Sequence, residues 1–189
     1  LLRQGQSSAP FDNEGVATRY RELVTDGILQ GYLLDSYSAR KLGLKSTGNA
    51  GGVRNARISS SGESFTELLR KMDRGLLVTE MMGHGVNAVT GDYSRGAGGF
   101  WVQDGQIRHP VKEVTIAGNL RDMFRQLRCV GSDLERRGNY LTGSWLVDGM
   151  TVGGFIIGVN YRLDTIDLRV RKEGAKRMTD DRRAGNWPV

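Results

Sequence analysis

Residues 83–105, GHGVNAVTGDYSRGAGGFWVQDG, constrain the fold more than any other stretch of this chain. Seven of the 23 positions are glycine, so the backbone here is expected to take turns that residues with side chains resist. The block ends in Phe100-Trp101-Val102, Asp104-Gly105 and Gln106-Ile107, which reads as strand, type I′ turn and returning strand. Within it, Asp92, Tyr93, Ser94 and Arg95 place four polar side chains in a row, read here as lying on a long loop. A glycine loop that carries a polar tetrad and is anchored on a hairpin suggests a substrate or partner surface. It equally fits a structural loop filling a groove of its own domain, and the residues alone leave the two open.

Two further Asp-Gly dipeptides, Asp26-Gly27 and Asp148-Gly149, repeat the hairpin signal. Around the first, residues 16–24 and 28–34 read as strands; around the second, residues 144–152 do. A short helix is expected over 36–42, stopped by Gly43, and residues 45–52, KSTGNAGG, can only be loop. Residues 54–59 read as a further strand. Ser64 opens a Ser-x-x-Glu capping box with Glu67, followed by Phe65, Leu68, Leu69 and Met72 at helical spacing up to Gly75. Residues 76–82 then read as a buried strand and 111–117 as another. A second main helix is expected from an Asn119 cap through Val130, with Cys129 near its end and Arg121, Arg125 and Arg128 on its flanks. Two main helices among three Asp-Gly turns predict an α+β, β-dominated domain of antiparallel hairpins and sheets.

Length permits one domain or slightly more with a real core, and 27 glycines among 189 residues suit a loop-rich β fold. A single cysteine excludes an internal disulfide and suits a reducing compartment. No window approaches the roughly 18 apolar residues of a membrane helix, and no signal peptide is recognisable. The chain opens on Leu-Leu-Arg rather than Met, as a fragment would. Its net charge of +6 is unevenly spread: residues 155–189 hold 8 Lys/Arg against 5 Asp/Glu and supply half of the surplus. The body is nearly balanced, so nucleic acid is not the expected partner. Residues 155–189 lack a clear hydrophobic period, and from Arg169 to Arg183 they read as solvated or disordered.

Catalytic motifs are scarce. His84 and His109, 25 residues apart, are the only histidines, and His-Glu-x-x-His, P-loop, dinucleotide, nucleophile-elbow and Cys-x-x-Cys patterns are all missing. Composition and spacing therefore assemble no complete active site, and no catalytic or metal residue is assigned.

Several long stretches nevertheless resemble one family. SAPFDNEG (8–15), DGILQGYLLDSYSARKLGLKSTGNAGG (26–52), LLVTEMMGHGVNAVTGDYSRGAGGFWVQDGQI (76–107) and VTIAGNLRDMFRQL (114–127) are similar to the TldD/PmbA metallopeptidase family, nearest the C-terminal domain of its PmbA (TldE) branch. The resemblance covers about residues 8–154, which sets the expected domain at 1–154 and leaves 155–189 as an extension outside it. It implies a β-rich domain that follows an N-terminal domain absent from this chain. It also implies a cytoplasmic heterodimer in which a TldD-like subunit holds zinc, cleaving peptides and unfolded proteins, with microcin precursor maturation and antitoxin degradation as its duties. An older label for the family is modulator of DNA gyrase. The family's metal helix lies upstream of the region covered, and its cysteine ligand has no counterpart in 138–154, where Thr142 stands. What carries over is the loop block 47–52 and 91–96, with Thr47, Asn49, Asp92, Tyr93, Ser94 and Arg95 as candidate substrate- or partner-facing residues. The alternative function is a non-enzymatic protein- or nucleic-acid-binding module; a hydrolase using His84 or His109 ranks below both.

Overall fold

The structure, a computed structural model, describes residues 7–154 with Gly5, and the backbone of 166–170. It divides into two compact units: residues up to Ile58 with Glu135–Leu141, and Ser59–Leu134 with the remainder from Thr142. Among the described residues strands outnumber helices, of which there are three, and all but two of the strand pairings are antiparallel.

The first unit is built mostly from turns. β1 (Val24–Thr25) and β2 (Ile28–Leu29) form a hairpin whose Asp26 and Gly27 both have positive φ, 51° and 76°, as a type I′ turn requires. The strands expected over 16–24 and 28–34 shrink to these two-residue pieces. Apart from an isolated pairing of Phe11 with Ala17, nothing among the described residues offers the intervening backbone a partner strand, and propensity without a ladder does not make a strand. α1 (Ser36–Lys41) is capped by the Asp35 carboxylate, which accepts the Ser38 amide at 2.7 Å. It closes on Gly43 at φ 66°, with Leu44 N–H donating to Ala39 and Gly43 N–H to Arg40, a Schellman ending. β3 (Ala56–Arg57) is all that forms of the strand expected over 54–59.

The second unit holds the core. α2 (Phe65–Met72) begins with both halves of the Ser64–Glu67 capping box. It stops on Asp73 at φ 57°, two residues before Gly75, which opens the next strand. Then follow β4 (Gly75–Met82), β5 (Asp92–Gln103), β6 (Gln106–Asn119), α3 (Leu120–Arg125) and β7 (Leu127–Val130). Between β7 and the last strands the chain returns to the first unit, where β9 (Tyr140–Thr142) pairs with β3 on one side and β8 (Glu135–Arg137) on the other. β10 (Trp145–Gly153) returns beside β6 and β7, and β11 (Ile166–Val170) pairs with both β10 and β4. The pairings β4–β5–β6–β10–β11–β4 close a ring of five strands.

Period-two alternation sorts the apolar side chains between the two faces of this ring. Leu76, Val78, Ala97, Trp101, Val114, Ile116 and their neighbours fill the inner face. Leu77, Val102, Cys129 and Leu146 point outward, where Leu68, Leu69 and Met72 of α2 cover them. Fully burying these three α2 side chains contributes at most about 5–9 kcal/mol, enough to dock an eight-residue helix that would not persist alone. Two bulges preserve the sorting. Val111 and Val114 are three residues apart yet both face inward, because the register shifts there and Glu113 sits at φ 57°. Val147 and Met150 do the same across Asp148-Gly149.

That second bulge corrects the hairpin expected at Asp148-Gly149. β10 runs straight through, with Gly149 at φ 71° and the Asp148 amide bonded to the Gln126 carbonyl at 3.1 Å. The helix expected through Val130 ends at Arg125, so Cys129 and Arg128 lie on a strand. The inward demand of β10 for a paired edge at Leu127, Cys129 and Val130 overrides the helical spacing. Arg128 is ion-paired with Asp148 at 3.3 Å. β11 falls within the stretch whose sequence shows no period. Among the described residues, no helix is long and apolar enough to cross a membrane.

Candidate functional site

In the first unit, Thr47 and Asn49 lie on the expected loop, but both turn inward. The Thr47 hydroxyl accepts the Leu34 amide at 2.7 Å and has the Leu34 carbonyl and Asn49 Oδ1 as acceptors at 3.0 and 2.9 Å. The Thr47 carbonyl in turn accepts from Arg21 at 3.1 Å. Half-buried and satisfied within their own unit, these two residues fix the loop's shape rather than reach outward.

The residue that organises this loop was not singled out by the sequence. Asp12 is buried, and its carboxylate accepts three backbone amides at 2.9 Å: Glu14 and Val16 on Oδ1, Ala50 on Oδ2. Burial acts to raise its pKa, but the bonds from Ala50, Val16 and Glu14 and the charge of Arg54 outweigh it, and the group stays below the usual carboxylate range. One side chain thus ties the turn at 10–15 to the glycine loop 38 residues away. The Asp-Asn-Glu-Gly pattern, an Asx-turn signature, was the available signal.

In the second unit, Asp92, Tyr93, Ser94 and Arg95 are not on a loop. They form the first four residues of β5, paired with Asn119, Gly118, Ala117 and Ile116 of β6. The correction has a simple cause: β6 continues to Asn119, and a strand of that length recruits its neighbour despite the glycines. The true loop is 83–91, and it folds back along β5. Val86 pairs with Tyr93, Ser94 N–H donates to Gly85 at 2.7 Å and Asn87 N–H to Asp92 at 2.9 Å. The approach demands glycine at 85, since a Cβ there would lie 1.4 Å from the Ser94 carbonyl oxygen.

Strand alternation divides the tetrad. Asp92 and Ser94 are exposed, with Asp92 Oδ2 accepting from Thr90 Oγ1 at 2.6 Å. Tyr93 packs against the inner core, its hydroxyl 3.2 Å from Met81 Sδ. Arg95, opposite the fully buried Ile116, faces inward too. Burial raises the Tyr93 phenol, against the opposing charge and hydrogen bond of Arg95. The Nε of Arg95 is buried without a hydrogen-bond acceptor among the described residues.

The histidines and the cysteine stand apart. His84 is exposed on the 83–91 loop; His109 lies opposite Trp101 on the inner face; Cys129 is buried in the outward cluster beneath α2. Among the described residues no three His, Cys, Asp or Glu side chains come together in a way that would hold a metal ion.

Comparison with known proteins adds to this geometry. Residues 1–154 match the family described as the PmbA/TldA metallopeptidase C-terminal domain. The chain is 58% identical to Metalloprotease PmbA of Escherichia coli O157:H7 over 153 residues, 81% of this chain and 34% of that protein. It thus spans about a third of the curated relatives' length. A Metalloprotease TldD homolog of Buchnera aphidicola also matches, at 24% over 145 residues, 71% of this chain and 30% of its own. Among solved structures, a candidate modulator of a DNA gyrase from Thermotoga maritima aligns with a TM-score of 0.69 and 40% identity, covering 76% of this chain and 35% of that one. TldE from Thermococcus kodakarensis aligns with a TM-score of 0.67 and 25% identity, over 77% of this chain and 36% of its own.

Proposed function

Because this chain belongs to the PmbA/TldD metallopeptidase family as its C-terminal domain, we propose that it is the corresponding part of a TldE-type subunit. In this reading it supports a cytoplasmic zinc peptidase whose metal is held by a TldD-like partner. The identity to Metalloprotease PmbA across 153 residues carries the proposal. The dispersal of His84, His109 and Cys129 over three unconnected places supports a role in enclosure and assembly rather than metal ligation.

The substrate is a peptide or unfolded protein, for which the ring offers a place. Residues 79–82 of β4 are flanked by β5 on one edge, while on the other, among the described residues, β11 pairs as far as Val78. An extended peptide added along that edge is held by main-chain bonds, which are indifferent to sequence. The glycine loop 83–91 begins where this edge ends, and Val86 and Val89 are exposed on it.

The test is peptide cleavage by this chain alone and with a TldD-like subunit, each with and without a chelator. Cleavage only in the mixture, abolished by the chelator, is the expected result. Chelator-sensitive cleavage by this chain alone would overturn the supporting role. Silence in both, with salt-sensitive binding to DNA instead, would favour a binding module.

A further inference from the structure

The strand that closes the ring comes from outside the part of the chain that matches the family. Residues 1–154 carry that match. Within them β4, β5, β6 and β10 pair in that order, which leaves one edge of β4 and one of β10 for a fifth strand. β11 takes that place, parallel to β4 from Gly75 to Val78 and antiparallel to β10 from Trp145 to Met150. Its sequence, Ile-Asp-Leu-Arg-Val, is apolar at alternate positions. In the register, Leu168 stands opposite Leu76 and Val147, Val170 opposite Val78, and Ile166 opposite Met150. Leu76, Val78, Val147 and Met150 all belong to the inner core, and none is more than 4% exposed. This place in the ring therefore calls for a strand with an alternating pattern.

The edge of β4 that β11 uses is also the edge along which a peptide would add. Parallel pairing with β11 takes residues 75–78 of β4, and among the described residues 79–82 are what remains of that edge. Those residues give a peptide about 13 Å. A strand of ordinary length, about five or six residues, needs more, and meets β11 at Val78. Pairing of this kind is made by the main chain and selects at most the alternate side chains, so a strand supplied by another chain with the same pattern meets the demands of the place as β11 does.

We propose that β11 is the internal occupant of a strand-accepting slot between β4 and β10, and that an extended peptide with apolar residues at alternate positions displaces it to lie along the whole of β4. This rests on the proposed function, which supplies the peptide, and adds a guard to it: β11 and the substrate compete for one edge. The apparent affinity for peptide is then lowered by the fraction of time that β11 holds the slot. One strand is exchanged for another, so the inner core along Leu76, Val78, Val147 and Met150 stays covered in both states.

The experiment takes the whole 189-residue chain and a fluorescent peptide of residues 164–172, DTIDLRVRK, with a backbone N-methylated form of the same peptide as control. Fluorescence anisotropy measures binding to the unaltered chain and to Leu168→Pro, in which β11 loses an N–H and is loosened. Hydrogen exchange follows the amides of 166–170 and of β4 with and without peptide, and circular dichroism reports whether the variant remains folded. The expected result is binding at least about 10-fold tighter in Leu168→Pro, none of the N-methylated peptide, and loss of protection at 166–170 in the unaltered chain while β4 keeps its own. Equal binding by the two folded chains overturns the proposal, as does binding by neither. Should the variant unfold, the unaltered chain decides alone: millimolar peptide that leaves the 166–170 amides protected overturns the proposal. None of these measurements needs a TldD-like subunit. Cleavage by the mixture beside an immovable β11 refutes the guard and leaves the proposed function, whereas displacement of β11 without cleavage by the mixture refutes the proposed function and leaves the slot.

Discussion

The bulge at Glu113 can be turned into a quantitative trial of how the inner core is assembled. Glu113 is an exposed residue at φ 57°, in the left-handed region, where a side-chain-bearing residue pays roughly 1–2 kcal/mol relative to glycine. Glycine would remove that strain and lose about 0.5–1 kcal/mol through the greater freedom of the unfolded chain. Glu113→Gly is therefore expected to stabilise the protein by about 0.5–1 kcal/mol, a rise in melting temperature of roughly 1–4 °C at this chain length. Glu113→Val, β-branched and so stiffer, is expected to lower it by about 2–4 °C. Glu113→Ala removes the charge while keeping the strain, and should stay near the unaltered protein. Urea and thermal unfolding of the four proteins side by side read these differences directly. A glycine variant that is less stable, with valine harmless, would mean that the backbone at 113 is not left-handed. The account of how Val111 and Val114 both reach the inner face would then fall.

Ser64→Ala removes the acceptor for the Glu67 amide at the start of α2 and should cost about 0.5–2 kcal/mol in chemical denaturation. Leu146→Ala opens a cavity between β10 and α2 where Leu146 is fully buried, and should cost about 2–5 kcal/mol with little change in secondary-structure signal. Gly85→Ala cannot coexist with the Ser94 carbonyl in its present place; hydrogen exchange should show the Ser94 and Asn87 amides losing protection while β4 and β6 keep theirs. Stability should also fall with acid in a defined window. The bond from Lys71 and then that from Ser61 hold Glu63 at about 2, against an ordinary 4.5. A depressed carboxylate contributes above its unfolded value and loses that contribution as pH falls toward its folded one. Asp12 and Asp35 shift in the same direction. Melting temperature should therefore decline between roughly pH 4.5 and 2, and Glu63→Gln should flatten part of that slope; an unchanged slope in that variant would remove Glu63 from the account.

Features whose cause lies within a few residues were legible without coordinates. The capping box of α2, the glycine ending of α1 and the type I′ turns at Asp26-Gly27 and Asp104-Gly105 all appear where local chemistry places them. So does the buried strand after α2, because a short apolar run has few other uses. The strand-dominated α+β class followed from these signals together, and the quoted stretches carried the family. The failures share one physical reason: each concerned a segment whose conformation is set by a partner far along the chain. Asp148-Gly149 is a bulge and not a turn because β10 has β11 and β7 on its two sides. Leu127–Val130 is a strand and not a helix because β10 supplies a ladder that helical spacing cannot foresee. Asp92, Tyr93, Ser94 and Arg95 are split between solvent and core because β6 pairs with them, and no reading of a glycine-rich stretch reveals which alternate residues will face inward. Local hydrogen bonding and sterics were thus decided by the sequence alone. Pairing across long loops, which is paid in chain entropy and returned only by burial, was decided by the tertiary structure.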